Sequence, residues 1–433
     1  MKSKGLTAVL LAILLLGASV LYLNSDLEDE EKPSGESKTS DTDDDSDIVL
    51  GNISSFDDAV NSFSFDLFKK FMEDASNTGN IFYSPYSVFT ALAMTYEGAK
   101  GETAEEMANV LGIEQDNESF HNYMKNLYDY LNKDDADYNI STANALWVNQ
   151  GLELLEEYIK IIQDFYGGES TNVDFSNAAE AAEIINTWVE EQTNNLIKDL
   201  VPESALSPLT RLVLTNAIYF KGTWEIQFDE ANTTDRAFTL SSGEDVDVST
   251  MSLIETENMF NYTETDDLQI LELPYTGNEM SMMIILPKGN TDLSTVVESI
   301  DKESYYEWLD SMTKNEVNIY LPKFEIKTPL YDLNNYLIDL GMEKAFGGAD
   351  FSGITTQADL FISKVLHKAF IEVNEEGTEA AAATAVIMFE TAYPGGSEPS
   401  RIVFDCDHPF LFLIQHKETK TILFIGSMDD PRS

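Results

Sequence analysis

The chain has 433 residues and one cysteine, and its 77 acidic and 26 basic residues give a formal net charge of −51 at pH 7. A surface this acidic repels phosphate backbones and anionic head groups, so a nucleic-acid partner is not expected. A single cysteine excludes an internal disulfide framework.

The N-terminus has the order of charges and apolar residues that is typical of an export signal. Lys2 and Lys4 precede an apolar run over residues 5–23. A basic start followed by such a run is typical of a signal peptide, and the run also approaches the length of a membrane span. We expect residues 1–23 to be a cleaved signal or a retained membrane anchor. The protein would then be secreted or held on the outer face of the cell membrane through residues 5–23.

A change of composition marks the start of the folded part. Residues 24–50 are acidic, rich in serine and without aromatic residues, so we expect a disordered linker followed by one domain over 51–433. If the chain is exported, five Asn-x-Ser/Thr sequons become candidate glycosylation sites. They begin at Asn52, Asn117, Asn139, Asn232 and Asn261.

Apolar spacing predicts three helices followed mainly by strands. The helices are expected over 56–72, 84–99 and 181–202, the last of them stopped by Pro202. Several strand-like runs are apolar without alternation, which predicts sheets that are covered on both faces. The strand-like runs are 211–220, 268–275, 280–287, 316–322, 401–405, 410–416 and 421–427.

Motifs for catalysis and metal binding are missing from the sequence. The four histidines form no HExxH motif, and no CxxC, GxSxG, P-loop or dinucleotide fingerprint is present. We therefore expect neither an enzyme nor a cofactor.

Five segments, in order and with matching spacing, resemble the serpin family, and the resemblance covers residues 56–431. They are 80–107, 214–229, 320–346, 362–386 and 407–428. The resemblance implies the serpin fold, a mixed α/β (α+β) fold with about nine helices, three β-sheets and an exposed reactive loop near the C-terminus. It also implies a monomer that inhibits a serine-type endopeptidase as a single-use substrate. Acidity together with export suggests a prokaryotic source.

The segment "EEGTEAAAATAVI", residues 375–387, corresponds by this resemblance to the hinge of the reactive loop. In inhibitory serpins the hinge inserts into the main sheet after a protease cuts the loop, here as a strand over 377–390. Small side chains on alternate positions suit such a strand, although alanine and glutamate also favour a helix in the uncut loop. The hinge residues are Glu375, Glu376, Gly377, Thr378, Ala380, Ala382 and Thr384.

Counting along the family pattern from the hinge places the bond that the protease cuts between Thr391 and Ala392. This bond suits a protease with a small, apolar pocket, of elastase or subtilisin type, which would form a covalent complex. The distal part of the loop is longer than in many members, so other primary residues stay open, and Phe389 would favour a chymotrypsin-like enzyme. The alternatives are Met388, Phe389, Glu390 and Tyr393.

Two further positions in the main sheet follow from the resemblance. Trp224 corresponds to the breach, where the loop first enters, and a buried polar cluster corresponds to the shutter, where the strands part. The shutter residues are Ser84, Ser87, Asn216 and His367. All of these are also compatible with a purely structural core role. A non-inhibitory serpin that acts as a binding or structural protein is the alternative function.

Overall fold

The computed structural model describes residues 54–75, 77–113, 117–133, 137–254, 257–289, 291–357, 360–378 and 401–432. All of them belong to one compact unit. The expected signal or anchor at 1–23, the linker at 24–50 and residues 379–400 of the reactive loop lie outside the described residues.

Nine α-helices occur in the described residues, in agreement with the expected fold. They are α1 (Ser54–Glu73), α2 (Pro85–Tyr96), α3 (Gly101–Leu111), α4 (Asn117–Leu131), α5 (Glu156–Tyr166), α6 (Ala178–Gln192), α7 (Leu293–Ser299), α8 (Lys302–Ser311) and α9 (Asn334–Asp339). Helix α2 begins where the sequence predicts it, because the Ser84 hydroxyl caps the Ser87 N–H at 3.2 Å and Pro85 fills the first turn. None of the helices in these described residues combines the length and apolar character that a membrane span requires.

The third predicted helix is wrong at its end. Helix α6 stops at Gln192, well before Pro202. Asn194 and Asn195 have left-handed φ angles of 51° and 62°, which asparagine tolerates better than most residues. The Thr193 hydroxyl accepts the Ile197 N–H at 3.3 Å and fixes the turn that follows.

Seventeen strands are found in the described residues. They are β1 (Ile81–Tyr83), β2 (Tyr138–Asn149), β3 (Glu169–Val173), β4 (Leu212–Thr223), β5 (Thr234–Thr239), β6 (Asp245–Leu253), β7 (Met259–Glu264), β8 (Leu268–Pro274), β9 (Met280–Pro287), β10 (Thr313–Pro322), β11 (Phe324–Lys327), β12 (Tyr331–Asp332), β13 (Ile362–Val373), β14 (Gly377–Thr378), β15 (Ile402–Asp405), β16 (Phe410–His416) and β17 (Thr421–Met428). All seven predicted strand runs are confirmed.

The strands form a main sheet and two further sheets that share β10. In the main sheet the order is β11-β13-β14-β4-β2-β3, and β12 also pairs with β13. The remaining strands follow the order β1-β17-β16-β9-β8-β7-β10-β6-β5. Residues 313–316 of β10 pair with β7, whereas residues 317–322 pair with β15 and β6. The mixed α/β class and the three sheets therefore agree with the expectation.

Both faces of the main sheet are covered, as its apolar strands predict. Leu214 and Ile218 of β4 point into the large core, which also contains side chains of α1, of α2 and of the two further sheets. Val213 and Ala217, on the opposite face, pack with the buried side of α6. Because strand side chains alternate between faces, a strand that joins β4 places side chains in both of these packed layers.

Candidate functional site

The main sheet contains an opening between its two central strands. Residues 212–218 of β4 pair directly and in parallel with residues 362–369 of β13. Beyond this paired part the two strands separate, and we call the space between 219–223 and 370–373 the upper gap. Gly377 and Thr378 lie in it, since Thr378 is opposite Gly222 of β4 and Val373 of β13. The reactive loop therefore already begins as a strand of this sheet.

Gly377 is required by a close approach of two backbones. A Cβ atom at this position would lie 2.1 Å from the Gly222 carbonyl oxygen and 2.8 Å from the Thr223 Cα. Such distances exclude any side chain without a shift of the backbone. The sequence suggested glycine as a flexible pivot, and the structure adds this steric reason.

Thr378 points into the large core. Its side chain is fully buried, and its hydroxyl shares a hydrogen bond of 2.6 Å with the Tyr275 hydroxyl. The Tyr275 ring stacks on the Trp224 indole, with centroids 4.6 Å apart. Alternate residues of a strand that continues from Thr378 would face the same core.

Trp224 holds the turn that leads into the hinge. Its backbone N–H donates to the Glu376 carbonyl at 2.9 Å, and its indole N–H donates to the Asn374 carbonyl at 3.0 Å. The Asn374 side-chain oxygen in turn accepts the N–H groups of Glu376 and Gly377. The structure thus places Trp224 at the entry of the upper gap.

Glu375 fastens the hinge to the neighbouring sheet. Its carboxylate lies 2.7 Å from Lys323 Nζ and accepts the Thr233 hydroxyl at 2.7 Å, although its side chain is only 6% exposed. Burial raises the pKa of Glu375, but the bonds from Lys323 and Thr233 together outweigh burial and lower the pKa below its usual range. The carboxylate is therefore ionised in this position.

The four predicted shutter residues lie together, with a fifth that the sequence did not suggest. Asn144 of β2, Asn216 of β4 and His367 of β13 are side by side across three strands. The Asn216 amide nitrogen donates to Ser87 Oγ and to Asn144 Oδ1, both at 2.6 Å. Ser84 Oγ donates to the Leu423 carbonyl at 2.6 Å. We call Asn144, Asn216 and His367 the polar row.

His367 is a neutral imidazole in this row. Its Nε2 accepts the Ser84 N–H at 3.2 Å, so the ring proton is on Nδ1 and donates to Asn216 Oδ1 at 2.5 Å. Burial lowers the pKa of His367 to about 3. The direct bond between His367 and Asn216 joins β13 to β4 just below the upper gap.

Several predicted residues lie outside the described residues. They are the hinge residues Ala380, Ala382 and Thr384, and the reactive-bond residues Met388, Phe389, Glu390, Thr391, Ala392 and Tyr393. Among the described residues no group of three or more His, Cys, Asp or Glu side chains is placed to hold a metal ion.

The sequons differ in accessibility. Asn139 and Asn232 are exposed, whereas Asn261 is half-buried and its amide donates to the Glu272 carboxylate. The side chain of Asn117 and all of Asn52 lie outside the description. Glycosylation stays a prediction.

Sequence reasoning missed Asn144, Tyr275 and Lys323. Each is remote in the chain from the residues it contacts. For Asn144 a signal existed, since it is an asparagine within the apolar run of β2. Tyr275 comes directly after β8 and Lys323 directly after β10, and nothing in the neighbouring sequence marks either residue.

Comparison with known proteins decides the family. The family model described as Serpin (serine protease inhibitor) matches residues 58–431. The chain belongs to the serpin family. An uncharacterised serpin-like protein of Thermococcus kodakarensis is 45% identical over 376 residues, which cover 86% of this chain and 85% of the relative. Such a relative is compatible with the prokaryotic source that we expected.

Other similar serpins have different printed descriptions. The leukocyte elastase inhibitor of Xenopus laevis is 40% identical over 389 residues, covering 88% of this chain and all of the relative. Human thyroxine-binding globulin in complex with thyroxine is 29% identical, with a TM-score of 0.78, covering 88% of this chain and 99% of that structure. The fold of this serpin is therefore shared by a protein named as an inhibitor and by one named for binding thyroxine.

Proposed function

We propose that this serpin is a single-use inhibitor of a serine-type endopeptidase. The protease attacks the reactive loop and forms an acyl-enzyme, and the loop inserts between β4 and β13 before the acyl bond is hydrolysed. The observation that carries the proposal is the occupied upper gap, in which Gly377 and Thr378 already pair with both flanking strands.

The register predicts where the rest of the hinge would go. If the antiparallel pairing of Thr378 with Gly222 and Val373 continues, Thr384 arrives beside both Asn216 and His367. These two residues already face each other across the direct β4–β13 pairing. Insertion breaks the hydrogen bond between His367 and Asn216. The Thr384 hydroxyl, which is both a donor and an acceptor, would then lie between these two residues and replace that bond.

The remaining hinge residues fit the same register. Ala380 would lie beside Phe220, and Ala382 beside Ile218, both on the face of the large core. Ala383 would lie beside Ala217, on the face that α6 covers. Small side chains on both faces let the strand enter without forcing either layer apart.

Insertion supplies the free energy that moves the protease. Each new ladder hydrogen bond contributes about 0.5–1.5 kcal/mol, and apolar burial adds to this sum. The uncut protein must therefore be held kinetically in a less stable state than the inserted form.

We also propose a protease class and a cellular location, and only the sequence supports these two parts of the proposal. A cut between Thr391 and Ala392 supports a protease with a shallow pocket, of elastase or subtilisin type. The apolar run at 5–23 supports export, with the inhibitor either secreted or tethered to the outer face of the cell membrane. Neither proposal depends on the other.

Incubation of residues 51–433 with subtilisin, elastase, chymotrypsin and trypsin in turn tests the function. We expect a complex that survives SDS, and a released C-terminal peptide that begins at Ala392. A different new terminus would move the specificity residue and keep the mechanism. Cleavage by every protease without any complex would instead favour the non-inhibitory alternative, a binding or structural serpin.

A further inference from the structure

A buried carboxyl group lies at the start of α1. Asp57 is on the first turn of this helix, and only 6% of the residue is exposed. Its Oδ1 atom accepts the Tyr123 hydroxyl of α4 at 2.8 Å and the Thr421 hydroxyl of β17 at 2.9 Å. A buried carboxyl group is normally paired with a cation or holds a proton, so its surroundings decide between the two.

The titratable side chains in electrostatic contact with Asp57 carry no positive charge. They are Asp58 on α1, Tyr123 on α4, and Tyr305 and Tyr306 on α8. The lysines of the neighbouring segments pair with other carboxylates. Lys302 Nζ of α8 lies 3.7 Å from Asp58, and Lys420 Nζ, just before β17, lies 3.4 Å from Asp310. A cation therefore does not balance an ionised Asp57.

A row of hydroxyls connects Asp57 to a buried histidine. Thr421 gives its single hydroxyl proton to Asp57, so the Thr419 hydroxyl donates to Thr421, at 2.7 Å. His416 Nδ1 in turn donates to Thr419 at 2.8 Å. Burial, together with the charge of Lys133, lowers the pKa of His416 to about 4. The histidine is therefore neutral near pH 7 and brings no charge to the row.

Asp57 consequently holds a proton in mildly acidic solution. Burial raises the pKa of Asp57 to about 7, against an ordinary value of 3.8, although the bonds from Tyr123 and Thr421 oppose this rise. The negative charge of Asp58 acts in the same direction as burial. Between about pH 4 and about pH 7 the buried carboxyl group thus binds a proton that it would lose in water.

The first turn of α1 also rests on aromatic rings of α4. Phe56 is buried and stacks on the Tyr123 ring, with centroids 5.3 Å apart, and its ring lies 5.5 Å from the Phe120 ring. Helix ends open more easily than helix interiors. Release of this one turn from α4 and β17 is therefore the smallest motion that brings water to the Asp57 carboxylate.

We propose that Asp57, with Tyr123 and Thr421, forms a proton-dependent clasp on the start of α1. With a proton on its carboxyl group, Asp57 stays buried and holds this turn against α4 and β17. When the proton leaves, the carboxylate requires water and the turn opens more often. The clasp lies where the linker expected at 24–50 leads into the folded domain, so pH sets how firmly the domain is closed at that point. This inference is independent of the inhibitor function.

Hydrogen exchange of residues 54–63 in the full chain, measured against pH, tests the clasp. Exchange rates divided by the intrinsic rates give the opening constant of this segment. Because the buried pKa is raised, the stability that the proton supplies is complete below about pH 4 and is lost as the pH rises to about 7. We expect the opening constant of the wild type, relative to that of Asp57→Asn, to rise about tenfold between about pH 6 and about pH 8 and to change little above that.

Three variants separate the clasp from a general effect of pH. Asp57→Asn keeps the oxygen that accepts both hydroxyls but cannot ionise, so its opening constant should lack the rise. Tyr123→Phe removes a bond that favours the ionised form, so the rise should extend to a higher pH than in the wild type. Asp129→Asn is the control, because it changes an exposed carboxylate of α4 that pairs with Lys125, and it should follow the wild type.

An opening constant that rises as steeply in Asp57→Asn as in the wild type would overturn the proposal. If Asp57→Asn does not fold, Tyr123→Phe decides the question. A Tyr123→Phe profile identical to that of the wild type would then overturn the clasp, because the phenol would have no influence on the proton of Asp57.

Discussion

His367 makes the closure of the main sheet sensitive to acid. Its pKa is about 3 in the fold, against 6.5 for the unperturbed side chain, so between these values the unfolded chain binds the extra proton. Stability from His367 is therefore present above about pH 6.5 and is lost as the pH falls toward about 3. We expect the free energy of unfolding to fall between about pH 7 and about pH 4. This fall should be larger in the wild type than in His367→Gln, by up to about 3 kcal/mol, when both proteins are followed by thermal unfolding.

The control for this prediction is a histidine with the opposite shift. A hydrogen bond with Asp407 raises the pKa of His408 despite its partial burial. Its contribution is present at low pH and lost as the pH rises. His408→Gln should thus not reduce the loss of stability in acid. If His367→Gln lost as much stability in acid as the wild type, the conclusion that His367 is neutral in the polar row would be wrong.

Glu375 connects the hinge to the neighbouring sheet through Lys323. Glu375→Gln removes the charge of a buried carboxylate whose partner is 38% exposed at its side chain. Solvent around Lys323 reduces the loss, which we expect to be about 1–2 kcal/mol in the free energy of unfolding. The lowered pKa means that this contribution is present at neutral pH and lost as acid protonates the carboxylate.

A double-mutant cycle with Lys323→Met measures the coupling between the two residues. We expect the double variant to be destabilised by less than the sum of the single variants. Strict additivity would show that the ion pair does not hold the hinge.

The inserted strand can be blocked at one position. Continued register places Ala382 beside Ile218 in the large core, and burial of an unpaired carboxylate there costs several kcal/mol. We expect Ala382→Glu to be cut as fast as the wild type while the fraction of protease in the SDS-stable complex falls at least about tenfold. Ser397→Glu adds the same charge after the expected cut and should trap normally. Normal trapping by Ala382→Glu would contradict the proposed register.

Elements with strong local signals could be predicted from the sequence. The Ser84–Pro85 start of α2 and the apolar runs of β4, β8, β9, β16 and β17 have their causes within a few residues of chain. The end of α6 could not, because a left-handed turn at Asn194 decides it before Pro202 is reached. Local composition alone does not show which asparagine will adopt the left-handed backbone conformation.

The candidate site depended on contacts between distant parts of the chain. Resemblance to a family led to Ser84, Ser87, Asn216 and His367, which do come together. Nothing near Lys323 in the sequence indicates that it meets Glu375, because this pairing depends on where separate sheets meet. The steric need for glycine at 377 likewise became clear only from its distance to Gly222.

In the molecule as a whole, β4 and β13 pair directly below the upper gap. An inhibitor of this kind must become more stable when the gap opens fully and the hinge fills it, because insertion has to draw the protease along. A binding or structural serpin has no such requirement. Thermal stability before and after loop cleavage therefore separates the two functions.

The measurement is a thermal melt of residues 51–433, intact and after limited cleavage at the reactive loop, with the cut confirmed by N-terminal sequencing. The proposed insertion predicts that the cut protein melts at a clearly higher temperature than the intact one. It also predicts that Ala382→Glu loses most of this gain. Equal melting of the intact and the cut wild-type protein would contradict insertion, and with it the inhibitor function.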